Sequence, residues 1–283
     1  MHGIGNDFVM IDGIAHPFDA QSAPRIAQQM GDRRFGVGSD GLIVADREPG
    51  SGTLRMRMWN PDGSESEMCG NGVRCFARFV HDLGYAKGNF IPVQTGAGKL
   101  TLELLENGLI RVDMGRARLT RAEIGMVGAP ESSFIDQPVE VAGITLLGTA
   151  VSMGNPHLVV FVDSVSSVPL AEWGPKLEVH PLFPNRVNVH FVEARLPTHL
   201  VQRTWERGAG MTLACGTGAC AVGVAAYLTG RGARQTHVQL PGGTLDIRYD
   251  ESGDVFMTGP AEYVFTGEWT NERSFLVNQT NSA

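Results

Sequence analysis

The chain has 283 residues, 42% of them hydrophobic and 19% charged, with a formal net charge of −7. At roughly 150 residues per domain this is the length of two domains, with apolar material for two cores. The acidic balance speaks against a nucleic-acid partner, and the longest apolar run, Ala219 to Leu228, is too short to span a membrane.

The opening Met1-His2-Gly3-Ile4-Gly5-Asn6 lacks the basic and apolar regions of a signal peptide. A cytoplasmic location is therefore expected. Disulfides are uncommon there, so the four cysteines are expected to be reduced. Gly5-Asn6 opens an apolar strand ending near Asp12. A helix-like stretch follows at Pro24 to Met30, then Gly36-Val37-Gly38-Ser39-Asp40-Gly41, then a strand from Leu42 to Asp46. Arg57-Met58-Trp59 leads to Cys69-Gly70-Asn71-Gly72. Beyond it Val73, Phe76, Ala77 and Val80 mark a helical apolar stripe that stops at Gly84. Leu100 to Met114 reads as a hairpin with Asn107-Gly108 as its turn. Arg116 to Ala142 has weak periodicity and is the expected connection.

A second round then begins. Gly154-Asn155 opens a strand ending near Asp163. Arg203-Thr204-Trp205 and Cys215-Gly216-Thr217-Gly218 each lie 146 positions after their first-half counterparts (57 to 203, 69 to 215). Before Cys215, Met211 to Ala214 reads as a short strand. Ala219 to Leu228 is apolar nearly all round and stops at Gly230, which predicts a helix buried on every face inside a curved sheet. Val238-Gln239 answers Val93-Gln94, and Thr244 to Met257 reads as a hairpin turning at Ser252-Gly253. Glu262 to Trp269 is expected to return as a strand to the first domain, and the tail from Asn271 to fray. Features that keep order and spacing predict a duplication: an N-terminal domain over 1–116, a C-terminal domain over 117–261, and a ligand cleft between them.

Each Cys-Gly-x-Gly is placed where a strand gives way to a helix. A helix N-terminus carries partial positive charge and free N–H donors, so a thiol there is expected to have a lowered pKa. The same N–H groups can hold a carboxylate. Two such thiols facing each other can take a proton from one side of a carbon and return one to the other, which inverts a stereocentre. Cys75 and Cys220 fall inside the helices and read as core. Their spacings, Cys-x5-Cys and Cys-x4-Cys, speak against zinc. A lone nucleophile with a histidine partner stays open, although the paired positions argue against it. The motif from Gly36 has helix and strand in the wrong order for a dinucleotide fold, and the Gly216 motif lacks the acid expected ~20 residues on. None of the three lysines sits in a pyridoxal-like context. No cofactor or metal is expected.

At these residues the sequence resembles the diaminopimelate epimerase family over nearly its whole length. The resemblance lies in Met1 to Phe8; Asp32-Arg33-Arg34-Phe35-Gly36 with Gly38 and Asp40; Asn60 to Glu65; and Met68 to Gly72. It continues in Gly154-Asn155-Pro156-His157, Arg186-Val187-Asn188, Trp205-Glu206-Arg207-Gly208 and Ala214 to Ala219. It implies an α/β fold of two similar domains, each a curled sheet around a central helix, usually as a homodimer. It implies interconversion of LL- and meso-2,6-diaminopimelate without a cofactor, for lysine and cell-wall precursors. Cys69 and Cys215 match the catalytic cysteines, and His157 and Glu206 the positions that assist. Asn6, Asn60, Asn155, Asn188, Glu206, Arg207 and the backbones of Gly70-Asn71 and Gly216-Thr217 match substrate contacts. Family members carry a few residues before the Met-His-Gly motif, and an acidic residue is common where Met211 stands. Two alternatives remain: a two-cysteine racemase of proline, hydroxyproline or histidine, and a binding or redox protein with a switchable cysteine pair. Proline-type enzymes carry histidine where Asn71 stands.

Overall fold

The computed structural model describes residues 1–269. In chain order the first half holds β1 (His2–Gly3), β2 (Asn6–Asp12), α1 (Ala23–Gly31), β3 (Gly41–Arg47), β4 (Leu54–Trp59) and β5 (Glu65–Ser66). It continues through α2 (Gly70–Asp82), β6 (Phe90–Thr95), β7 (Gly98–Leu104) and β8 (Ile110–Arg116). Then come α3 (Arg121–Ile124), β9 (Gln137–Val141), β10 (Ile144–Ser152), β11 (Pro156–Phe161), α4 (Leu170–Glu178), β12 (Asn188–Leu196) and β13 (His199–Glu206). The last are β14 (Gly210–Met211), α5 (Gly216–Leu228), β15 (Gln235–Leu240), β16 (Gly243–Tyr249) and β17 (Asp254–Gly259).

The duplication is written in the hydrogen-bond ladders. β2 runs parallel to β3 and β11 parallel to β12, while β3–β4 and β12–β13 are antiparallel. Leu54 faces Val93 across the parallel pair β4–β6, and Leu200 faces Val238 across β13–β15. The meanders β6–β7–β8 and β15–β16–β17 repeat too. Their turns use Gly108 and Gly253 at φ 79° and 92°, a region that glycine enters at no steric cost. β8 and β17 then pair with each other and join the halves.

The central strands of each half are covered on both faces, which is why β3 and β12 read as near-continuous apolar runs. Ile43 and Ala45 face α2, whose Val73, Phe76, Ala77 and Val80 are fully buried; Leu42 and Val44 lie under α1. Val192 faces α5, whereas Val189 and Phe191 pack with α4. Helix α1 carries Pro24 in its first turn, where a missing N–H costs nothing. Helix α5 buries every residue from Gly218 to Ala226, as its all-round apolar sequence predicts.

Four expectations change. The apolar interior around α2 and α5 is one continuous core with satellites under α1 and α4, not two separate cores, because β8–β17 pairing closes the halves on each other. The connection from Arg116 is partly ordered: Thr120 and Glu123 form a reciprocal capping box that starts α3, and β9 pairs with β10. Met211 to Ala214 is mostly loop, with Met211 and Leu213 exposed. Glu262 meets His2 in a single bridge, and residues 263–269 form no strand. The tail from Asn271 lies outside the described residues.

Candidate active site

Cys69 and Cys215 are the N-cap residues of α2 and α5, both with extended backbone just before the first helical turn. The two helix starts abut: a Cβ on Gly70 would lie 3.9 Å from Gly216 Cα, and one on Gly216 would lie 3.5 Å from Asn71 Oδ1. Asn71 also donates to Ala214 O across the junction, at 3.5 Å. All four cysteines are free thiols. Cys75 and Cys220 are fully buried in the core, and burial pushes each thiol up to about 12.

The lowered thiol pKa expected from helix position alone does not hold once burial is counted. Burial raises Cys69, against the backbone N–H groups of Gly72 and Asn71 that lower it. Cys215 is raised further, by burial and then by the nearby charge of Glu206. Glu206 itself is raised by burial, while Thr212 Oγ1 donates to its Oε1 at 2.5 Å. Removing water costs a thiolate more than a few N–H dipoles return.

The asparagines divide into two sets. Beside Cys69, Asn6 Oδ1 accepts from Cys69 Sγ at 3.6 Å and from Asn71 Nδ2 at 3.1 Å, while Asn6 Nδ2 donates to Asp40 at 2.7 Å. Beside Cys215, Asn155 Nδ2 donates to Thr217 Oγ1 at 3.4 Å, and Thr217 lies 3.9 Å from the sulfur. His157 is fully buried and bonds Asn155 Oδ1 at 2.9 Å. Asn188 donates to Pro156 O and accepts from the Arg207 backbone N–H, both at 3.0 Å, so it ties β11 to the end of β13. Two predicted residues stand further out. The Arg207 guanidinium is exposed and reaches Asn185 O at 3.0 Å. Asn60 sits in the turn after β4, where Nδ2 meets Ser64 Oγ at 3.0 Å. By the repeat, Asn60 stands to Cys69 as Glu206 stands to Cys215, nine positions upstream in each case.

The profile of the diaminopimelate epimerase family matches residues 1–120 and 149–264 of this sequence. The chain belongs to that family. A diaminopimelate epimerase from Leptospira biflexa is 50% identical over 273 residues, covering 95% of this chain and 96% of its own. One from Pelotomaculum thermopropionicum is 47% identical over 272 residues, with the same coverage of each. Among solved structures, a Bacillus anthracis phenazine biosynthesis protein of the PhzF family aligns at a TM-score of 0.64 and 17% identity, over 94% of this chain and 93% of its own. A hydroxyproline epimerase from Agrobacterium vitis, with trans-4-hydroxy-L-proline bound, aligns at 0.63 and 13%, over 93% and 89%. Both share the fold of this chain.

Sequence reading missed the residues behind the candidate site. Arg33 bridges Asp7 and Asp40, at 2.7 Å to each, and so holds the carboxylate that orients Asn6. Arg74, fully buried, donates to Asn71 Oδ1, Gly70 O and Pro260 O. Behind His157 lie His190, Thr204 and Gln202, all buried. Setting the two halves side by side would have exposed the last three, because the first half has apolar residues at those positions.

Proposed function

We propose that this protein epimerises LL-2,6-diaminopimelate to the meso form, with Cys69 and Cys215 as the acid–base pair. The observation that carries the reading is the meeting of two cysteine-capped helix N-termini at one point. The amides of Gly70-Asn71 and Gly216-Thr217 offer converging donors for the α-carboxylate. The α-carbon then lies between the sulfurs. One thiolate removes the α-proton, and the opposite thiol delivers its own to the other face of the carbanion. The pair ends with its protonation exchanged, ready for the reverse direction, and no cofactor enters.

The substrate's own charge offsets that of Glu206. The negative charge of Glu206 raises both thiols. A substrate ammonium placed against that carboxylate cancels the charge as it arrives, so a thiolate forms when there is a proton to take. Arg207, Asn60, Asn188, Asn155 and Asn6 supply further donors and acceptors for a molecule with two ammonium and two carboxylate ends, and His157 assists at Cys215.

We assign residues 1–116 and 117–261 to the two domains, and propose a homodimer in the cytoplasm on family grounds; light scattering tests the stoichiometry. Incubation with LL-diaminopimelate, beside proline, hydroxyproline and histidine, tests the substrate. Formation of the meso isomer is expected. Turnover of proline or histidine alone would overturn the reading.

A further inference from the structure

The strand registers let the halves be compared residue by residue behind each cysteine. Phe8 faces Gly41 as His157 faces Asn188. Ile43 faces Met58 as His190 faces Thr204, and Ala45 faces Met56 as Val192 faces Gln202. Beneath Cys69 the four positions Phe8, Ile43, Met58 and Met56 are therefore apolar. Beneath Cys215 the same four are His157, His190, Thr204 and Gln202, and all eight are buried. The fold is built in the first half without polar groups here, so the second half carries them for another reason.

The hydrogen bonds of that stack run one way. Gln202 Nε2 donates to Thr204 Oγ1 at 2.8 Å and lies 3.0 Å from His190 Nδ1. Thr204 Oγ1 lies 2.9 Å from the same nitrogen; an amide nitrogen only donates, so His190 Nδ1 beside Gln202 Nε2 is an acceptor and the proton of His190 is on Nε2. His190 Nε2 then donates to His157 Nδ1, and His157 Nε2 to Asn155 Oδ1, each at 2.9 Å. Asn155 Nδ2 donates to Thr217 Oγ1, whose own hydrogen is left for Cys215 Sγ. A neutral imidazole has one donor and one acceptor, so the direction cannot reverse within the chain. Burial keeps both rings neutral, His190 down to about 3.

At Cys69 the polarity is opposite. Arg74 donates to Asn71 Oδ1, Asn71 Nδ2 to Asn6 Oδ1, and Asn6 Nδ2 to Asp40. What Asn6 turns towards Cys69 is therefore an acceptor oxygen.

We propose that His190, Thr204 and Gln202 are positioning residues: they fix the tautomer of His157 and, through Asn155 and Thr217, aim at Cys215 a donor that favours its thiolate, while Asn6 favours the thiol of Cys69. This rests on the reading of the two cysteines as the acid–base pair, and at Cys215 the donor works against burial and the Glu206 carboxylate, which raise that thiol.

The test is the pH dependence of iodoacetamide alkylation at each cysteine of the substrate-free protein, resolved by peptide mass. Gln202→Met and Thr204→Val give this half the apolar character of the other. Each is expected to raise the Cys215 midpoint by about one pH unit, about tenfold in rate at fixed pH, with Cys69 unmoved. His190→Gln can still donate forward and accept behind, and is expected to stay within about threefold of the parent. Thermal melting followed by circular dichroism checks that each variant is folded. An unmoved Cys215 midpoint in the folded variants, or an equal shift at Cys69, would overturn the proposal. The expected shift in a protein that fails to epimerise diaminopimelate would leave the relay standing and remove the substrate assignment.

Discussion

Adding one methyl group to the helix turn at Cys215 tests how tightly the site is held. A Cβ on Gly218 would lie 2.3 Å from His190 Cε1, 2.9 Å from His190 Nε2 and 2.9 Å from Cys215 Sγ. Ordinary contact begins near 3.4 Å, so something must move by about 1 Å. The imidazole cannot swing away, because one nitrogen is bonded to His157 and the other to Thr204. The start of α5 must lift instead, and Cys215 goes with it. Overpacking of this kind costs about 1–3 kcal/mol of stability. A displacement of ~1 Å at a reacting group costs on the order of 100-fold in rate. The twin position is the control: a Cβ on Gly72 would meet Ile43 Cδ1 at 2.8 Å and Phe8 Cζ at 3.4 Å. Ile43 ends in a rotatable methyl and has no hydrogen bond to hold it. Initial rates of meso-isomer formation, beside thermal melts, are expected to show Gly218→Ala reduced about 100-fold in kcat/KM and Gly72→Ala reduced less than about tenfold. A Gly218→Ala enzyme within about threefold of the parent, melting at the same temperature, would refute the rigidity argued for the His190 stack.

The two core cysteines give the opposite outcome. Cys75→Ala and Cys220→Ala each leave a small cavity and are expected to cost about 1 kcal/mol in urea unfolding, or a little more, with activity kept within about twofold. Loss of activity without loss of stability would return them to the site. Acid should unfold the protein through its buried histidines. Above pH 6.5 both folded and unfolded chains hold His190 neutral. Below it the unfolded chain takes a proton that the folded one refuses until about 3. Stability from His190 is thus complete above 6.5 and falls as pH drops towards 3, by up to about 1.4 kcal/mol per pH unit. His157 is shifted in the same direction. Urea midpoints at pH 7.5 and 5.5 check this, and a protein more stable at 5.5 would contradict it.

How much of this was legible in the sequence depended on range. The Cys-Gly-x-Gly pair, the all-apolar run from Ala219 and the glycine turns are local patterns, and helices, strands and turns followed them. The pairing of β8 with β17 is set by packing between halves, so the sequence suggested two cores where there is one. Thr120 and Glu123 were a readable capping box inside a stretch taken for a connection. The cysteine pKa values could not be read from helix position, because burial and the charge of Glu206 act through three-dimensional neighbours. His190, Thr204 and Gln202 each looked like an ordinary strand residue. Only the register against Ile43, Met58 and Met56 marks them as a departure from the repeat.

The central claim, that two thiols work on opposite faces of one carbon, is tested most directly by isotope entry. Reduced protein is incubated with LL-diaminopimelate in deuterated water, and the α-position is followed by mass and by isomer. Deuterium is expected in the meso product from the first turnover, with epimerisation lost in both Cys69→Ala and Cys215→Ala. Epimerisation that survives either substitution, or a meso product that keeps its original α-hydrogen, would contradict it.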